Sequence, residues 1–232
     1  MHNTIELSEL FDRLDIVQTS SPPELREVYT KFGKRKIYNK GEHIVTFGIK
    51  CSHCYYVNTG SCVYIYSSFD GTNRAISLMT PDSSFGETPS ILKEPAKLNV
   101  ICLERTDVFE LPFSYFEEYA DRKLLFSLMR YIAHKNTNLY EIFALFNTLN
   151  TAQRLLFFFR LYARKQSKPV DDWYTFKHRF THEFMAEMVG ATRVTVTLFL
   201  NKLKANGLLV SHGRLLKFRS DIIAYDYILK GH

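Results

Sequence analysis

The sequence predicts an α+β chain of three parts: a strand-rich N-terminal barrel or sandwich, one long helix, and a C-terminal winged helix-turn-helix. Three observations carry this. Short β-branched and aromatic runs, broken by turn dipeptides, fill residues 38–111. A stretch free of Gly and Pro follows over 115–147, with apolar residues stepping by four and three. The last third then holds two capped helical segments joined at a glycine, in strongly basic surroundings.

The elements follow in order. Pro22 to Phe32 reads as a short helix. Tyr55-Tyr56-Val57, Cys62-Val63-Tyr64-Ile65-Tyr66 and Ala75-Ile76-Ser77-Leu78 read as strands, with turns at Lys40-Gly41, Thr59-Gly60, Asp70-Gly71 and Pro81-Asp82. From about Tyr115 to Asn147 the residues Leu125, Met129, Ile132, Asn136, Leu139, Phe143 and Phe146 form a seam along one helix. Such a seam suits pairing with a second copy, with Asn136 as its one polar, register-setting member; packing on the strand domain is the plainer alternative. Thr151 to Lys165 is an amphipathic helix that ends before Lys168-Pro169, and the polar stretch Asp171 to Arg179 has room for a short strand or turn. The expected domains are therefore 1–114, 115–149 and 150–232.

Composition narrows the partners. With 232 residues, 46% of them apolar, the chain can build two small cores. No apolar run reaches the roughly 20 residues that span a bilayer, and the N-terminus lacks the features of an export signal. A cytoplasmic protein with reduced cysteines and no membrane partner is expected. Residues 1–149 carry 16 Lys+Arg against 18 Asp+Glu, 16 − 18 = −2, whereas residues 150–232 carry 14 against 6, 14 − 6 = +8. A compact basic segment attracts a polyanion, nucleic acid being the usual one, although a solvated basic face has the same composition.

The block from Thr181 to Lys204 decides between these. Thr181 can cap one helix, on which Phe184 or Met185, Met188 and Val189 form an apolar face. Gly190 supplies the turn and Thr192 caps the next helix. There Val196, Phe199, Leu200 and Leu203 point inward, leaving Arg193, Thr195, Thr197 and Asn201 outward. Two helices joined in this way place the second in a major groove, where Arg reads guanine and Thr meets a base, a phosphate or a thymine methyl. Gly207 to Phe218 then reads as a strand–turn–strand wing, with His212 and Arg214 near its tip and within reach of phosphates. Double-stranded DNA is the expected partner.

With those residues in place, the chain resembles the cyclic-AMP receptor protein/fumarate-nitrate regulator (Crp/Fnr) family over nearly its whole length. The N-terminal match rests on Lys40-Gly41-Glu42, Gly48, Tyr55-Tyr56-Val57, Gly60, Asp70-Gly71, Leu78, Pro81-Asp82 and Phe85-Gly86-Glu87. The resemblance implies a cyclic-nucleotide-binding-type β-roll (jelly roll), a homodimer around the long helix, and a two-fold DNA site. It also implies a small-molecule effector, a hinge near Phe146 to Thr151, and RNA polymerase as a further partner. Effector contacts carried over are Phe85, Gly86, Glu87, Lys97 and Asn99.

Two departures matter. Family members that bind cyclic nucleotides follow Phe-Gly-Glu with an Arg-Ser or Arg-Thr pair, and Glu94-Pro-Ala-Lys97-Leu-Asn99-Val100 has neither. Lys97 offers charge only as a point, so cyclic AMP is not the expected effector and Glu87 can be structural. Members reading a TGTGA-like half-site resemble Arg-Glu-Thr-Val-Gly-Arg, where this chain has Arg193-Val194-Thr195-Val196-Thr197-Leu198. Val194 and Leu198 replace polar readers, which favours a half-site richer in A·T. The Val-Thr-Val segment is similar to the branch that senses halogenated phenols, in which a Lys and a Tyr of the dimer helix hold an acidic aromatic ligand. Tyr131 and Lys135 fall in that part of the helix, although Lys135 also reads as an ordinary exposed charge.

Catalytic chemistry is not expected. His182-Glu183 starts a zinc-protease motif that Ala186 breaks, and neither a GxSxG nor a P-loop occurs. Cys51-Ser-His53-Cys54 is the one close cysteine pair, with Cys62 and Cys102 elsewhere. Buried structural thiols are the first reading, a Cys51/Cys54 redox pair the second, and a metal site joined by His53 the third. No metal and no cofactor are expected. The competing functions are a sensor acting through protein partners and a β-barrel enzyme with a helical tail.

Overall fold

The computed structural model describes residues 20–68, 73–164, 169–176 and 179–223. The Asp70-Gly71 turn, Lys165 and Lys168 lie outside them. The chain forms two compact units, which among these residues are 20–138 and 139–223.

The first unit opens with helix α1 (Pro23–Phe32) and strands β1 (Lys34–Tyr38), β2 (His43–Val45), β3 (His53–Thr59), β4 (Cys62–Ser67), β5 (Asn73–Met79) and β6 (Ser84–Phe85). Helix α2 (Glu87–Leu92) and strands β7 (Asn99–Cys102) and β8 (Thr106–Pro112) complete the roll. Two antiparallel four-stranded sheets result, ordered β1-β8-β3-β6 and β2-β7-β4-β5. The β-roll is therefore present.

Strand β3 shows how one sequence serves two cores. Successive side chains point to opposite faces of a strand. Tyr55 and Val57 face the core between the sheets, with Phe85, Val100 and Val108. Cys54 and Tyr56 face the other way, onto Leu25 and Tyr29 of α1, Phe116, Leu128 and Tyr131. Both faces are covered, so β3 reads as a nearly continuous apolar run rather than an alternating one.

The single helix expected from Tyr115 is two. Helix α3 (Ser114–Tyr119) stops where Ala120 turns extended, and the long helix α4 (Arg122–Thr148) starts afresh. Asp121 causes the restart: its carboxylate accepts from Leu124 N–H at 2.7 Å, which caps the new helix. The seam survives, because all seven of its residues lie on α4. Leu125, Met129, Asn136, Leu139 and Phe143 are exposed, Met129 by 62% and Phe143 by 71%, while Ile132 and Phe146 are half-buried.

The second unit contains the end of α4, α5 (Thr151–Arg164), β9 (Trp173–Thr175), α6 (His182–Val189), α7 (Arg193–Ala205), β10 (Leu209–His212) and β11 (Leu215–Arg219). Asn150 and Gln153 cap the start of α5 reciprocally, each side chain accepting from the other's backbone N–H. The core is aromatic: Phe157, Phe159, Phe176 and Phe218 are buried, and the Phe159 and Phe218 rings sit 5.0 Å apart. Strand β11 is flanked by β10 and β9.

Candidate DNA-binding surface and effector cluster

Helix α6 begins at Thr181, whose Oγ1 accepts from Phe184 N–H at 3.0 Å. It ends at Gly190, which is left-handed at φ 64°, a conformation that favours glycine. Thr192 then caps α7 by accepting from Thr195 N–H at 3.1 Å. Val196, Leu200 and Leu203 are buried and seat α7, while Phe199, expected inside, is half-buried. The outer face presents Arg193, Val194, Thr195, Leu198 and Asn201, with Val194 67% and Leu198 66% exposed. Beyond α7 the β10–β11 hairpin turns at Gly213 and exposes His212 and Arg214 at its tip. Thr181, Thr192, Arg193, Val194, Thr195, Asn201, His212 and Arg214 are thus exposed.

Thr197 departs from the expectation of a free outward hydroxyl. It donates to the Arg193 carbonyl at 2.8 Å and also pairs with His182 Nδ1 at 2.8 Å. Its one hydroxyl hydrogen is spent on the carbonyl, so the ring nitrogen is the donor to Thr197. Burial, then the Lys204 and Arg193 cations, hold His182 below its ordinary pKa. His182 thus links the two helices, a role its failed zinc motif gave no sign of.

In the first unit the roll and α4 meet in a second cluster. Gly86, at φ 90°, leads β6 into α2; a Cβ there would stand 2.5 Å from the His53 carbonyl oxygen. Glu87 follows and is 2% exposed. Tyr131 and Lys135 lie one turn apart on α4 and so share a face. The Tyr131 hydroxyl donates to the Ser84 carbonyl at 3.1 Å and accepts Ser84 N–H at 3.0 Å. Lys135 Nζ donates to the Ser84 carbonyl and to Glu87 Oε1. The lysine side chain is only 15% exposed, which overturns its reading as an ordinary surface charge. Glu87 Oε2 is buried without a hydrogen-bond partner. Tyr64, not anticipated, joins the site; burial and then the Glu87 carboxylate push its hydroxyl pKa up.

Three residues expected to touch an effector have other tasks. Phe85 is a core residue stacked on Tyr55 at 5.1 Å. Lys97 is 77% exposed and paired with Glu94. Asn99 ties two strands' ends by accepting Phe47 N–H at 2.9 Å. The cysteines are free and buried, Cys51 between the sheets and Cys54 under the helices. Burial pushes the Cys54, Cys62 and Cys102 thiols up, away from thiolate reactivity. Among the described residues no His/Cys/Asp/Glu group could hold a metal, and no helix is long and apolar enough to cross a membrane.

Residues 35–123 match the family described as the cyclic nucleotide-binding domain, and residues 152–219 the Crp-like helix-turn-helix domain. No curated protein sequence matches the chain. Among solved structures, the chain is similar to the c-di-GMP-responsive global regulator CLP of Xanthomonas campestris, at 15% identity and TM-score 0.72 over 84% of this chain and 98% of that one. It is similar to a CooA mutant from Carboxydothermus hydrogenoformans at 16% identity and TM-score 0.71, over 94% and 98%. CprK complexed with OCPA is matched at 20% identity and TM-score 0.63, over 88% and 94%. At these identities the likeness is one of fold, and the chain is not assigned to the halophenol-sensing branch.

Proposed function

We propose that the chain, in which a cyclic nucleotide-binding domain is followed by a Crp-like helix-turn-helix domain, is a transcription regulator of the Crp/Fnr type that works as an effector-responsive homodimer on a two-fold DNA site. One observation carries the DNA reading: α7 is capped at Thr192, seated by Val196 and Leu200, and turns an unpaired Arg193 outward beside Val194 and Leu198. Arg193 suits a guanine edge, while Val194 and Leu198 suit thymine methyls, so the half-site combines a G·C pair with A·T-rich flanks. The exposed seam on α4 supports pairing of two copies. RNA polymerase is the partner through which promoter binding would act.

The effector reading rests on the Ser84–Glu87–Tyr131–Lys135 cluster. Glu87 already neutralises Lys135 there, and Lys97 is held at the surface by Glu94. This arrangement does not favour a cyclic phosphate. An aromatic acid would meet the same closed pair, since Glu87 and Tyr131 are each 2% exposed.

The test is titration of the full chain against its own upstream DNA and a scrambled duplex at several salt concentrations. Two chains per duplex and a clear preference for the upstream fragment are expected. Equal affinity for both duplexes would leave the sensor that acts through protein partners as the better reading.

A further inference from the structure

In the second unit the guanidinium of Arg154 bridges the end of the long helix and the helix-turn-helix. Arg154 lies in the first turn of α5. Its Nε donates to the Leu149 carbonyl at 2.9 Å, just past the end of α4. Its Nη1 donates to the Val189 carbonyl at 3.2 Å, the last residue of α6. The guanidinium carbon lies 5.7 Å from the centroid of the Phe146 ring, in the last turn of α4. Nη1 is also 3.6 Å from where a Cβ on Gly190 would stand.

We infer that Arg154 is the positioning residue that couples the end of the long helix to the turn of the helix-turn-helix. Helix C-terminal ends carry partial negative charge and unsatisfied carbonyls, and a cation stabilises both. Here one planar cation serves two such ends at once. Only arginine has N–H groups fixed in directions that reach two carbonyls while its face lies on a ring. A shift of the last turn of α4 moves the Phe146 ring and the Leu149 carbonyl. The guanidinium follows as a rigid plate and pulls on Val189, next to the left-handed Gly190 that sets the direction of α7. The biological use of the clamp rests on reading α6–α7 as the DNA-binding element, but the clamp itself does not.

Hydrogen exchange on the full chain without DNA tests it. Gly190 and Ala191 N–H both donate to the Ala186 carbonyl and so report on the turn. In the wild-type background, Phe146→Ala should speed exchange at both amides roughly two- to thirtyfold, the range found for residues that couple distant sites. Arg154→Met should speed them by itself, and adding Phe146→Ala should then change nothing more. Arg154→Lys keeps the charge, loses the fork and should weaken the cross-effect, which guards against a Met variant that does not fold. Unchanged exchange in the β10–β11 ladder identifies a folded unit. The inference is overturned if Phe146→Ala leaves the turn unchanged, or if the same rise persists with Met or Lys at position 154. A chain that fails to bind DNA but shows the coupling would sink the proposed function and leave the clamp intact.

Discussion

The two units differ in how many of their cations meet a carboxylate. Among the described residues the N-terminal unit has seven such pairs: Arg26–Asp82, Arg35–Asp107, Lys36–Glu110, Lys93–Glu117, Lys97–Glu94, Lys123–Glu24 and the nearly buried Lys135–Glu87. Between described residues of the C-terminal unit there is one ion pair, Arg219–Asp221. Arg193, Lys202, Lys204, Arg214 and Lys217 have no carboxylate partner among the described residues. A carboxylate beside a cation offsets part of the charge that a phosphate would otherwise meet. An unpaired, exposed cation can still release a condensed counterion when it meets DNA. These basic residues of the C-terminal unit thus remain available to a polyanion, as the proposed function requires.

The largest expected effect comes from breaking the Lys135–Glu87 pair. Lys135→Met leaves Glu87 buried without its cation and should cost about 3–5 kcal/mol in urea unfolding. Adding Glu87→Gln should restore much of that loss, and failure to do so would remove the pair from the account. In the C-terminal unit, Arg193→Ala should weaken binding to the specific duplex about 5- to 150-fold, with a smaller change on scrambled DNA. Equal losses on both would make Arg193 a phosphate contact. Smaller again, Lys204→Ala or Arg214→Ala should each lower the slope of log affinity against log salt by about 1, at similar cost on every sequence. An unchanged slope would put that residue off the DNA.

Acid should loosen the units in sequence. The folded state holds His182 below its ordinary 6.5, so the unfolded chain binds the extra proton first. Stability of the C-terminal unit is then full above that value and declines as pH falls towards the lower folded pKa. Asp107, held below the ordinary 3.8 chiefly by its hydrogen bonds from Arg35, keeps its contribution until pH drops past 3.8. Exchange protection of residues 182–200 should fall before that of the β1–β8 ladder, and His182→Gln should flatten the first step. Simultaneous loss would show that neither group sets the order.

The candidate DNA-binding surface is more legible in the sequence than the Glu87–Lys135 cluster, for a physical reason. Thr181, Gly190 and Thr192 act within three or four residues of themselves, as caps and a turn, so spacing alone reveals them. Glu87 and Lys135 are 48 residues apart, and only the packing of α4 on β6 and α2 brings them together. Thr197 reads as a free outward hydroxyl because helical periodicity fixes a face but not the hydrogen-bond partners that meet it there. His182, fifteen residues away, is one such partner. The break before α4 was readable after all. Asp121, three residues ahead of Leu124, is an ordinary N-cap that the apolar seam running on from it obscured.

The exposed ridge on α4 has a consequence at the level of the cell. If Met129, Leu139 and Phe143 are covered by a second copy, then the species able to occupy a two-fold site grows with the square of chain abundance at low expression. Gene dosage then becomes an input alongside the effector. Doubling expression of such a regulator raises its active form up to fourfold, and a promoter it controls responds to how much of the protein is made as well as to what the protein has bound.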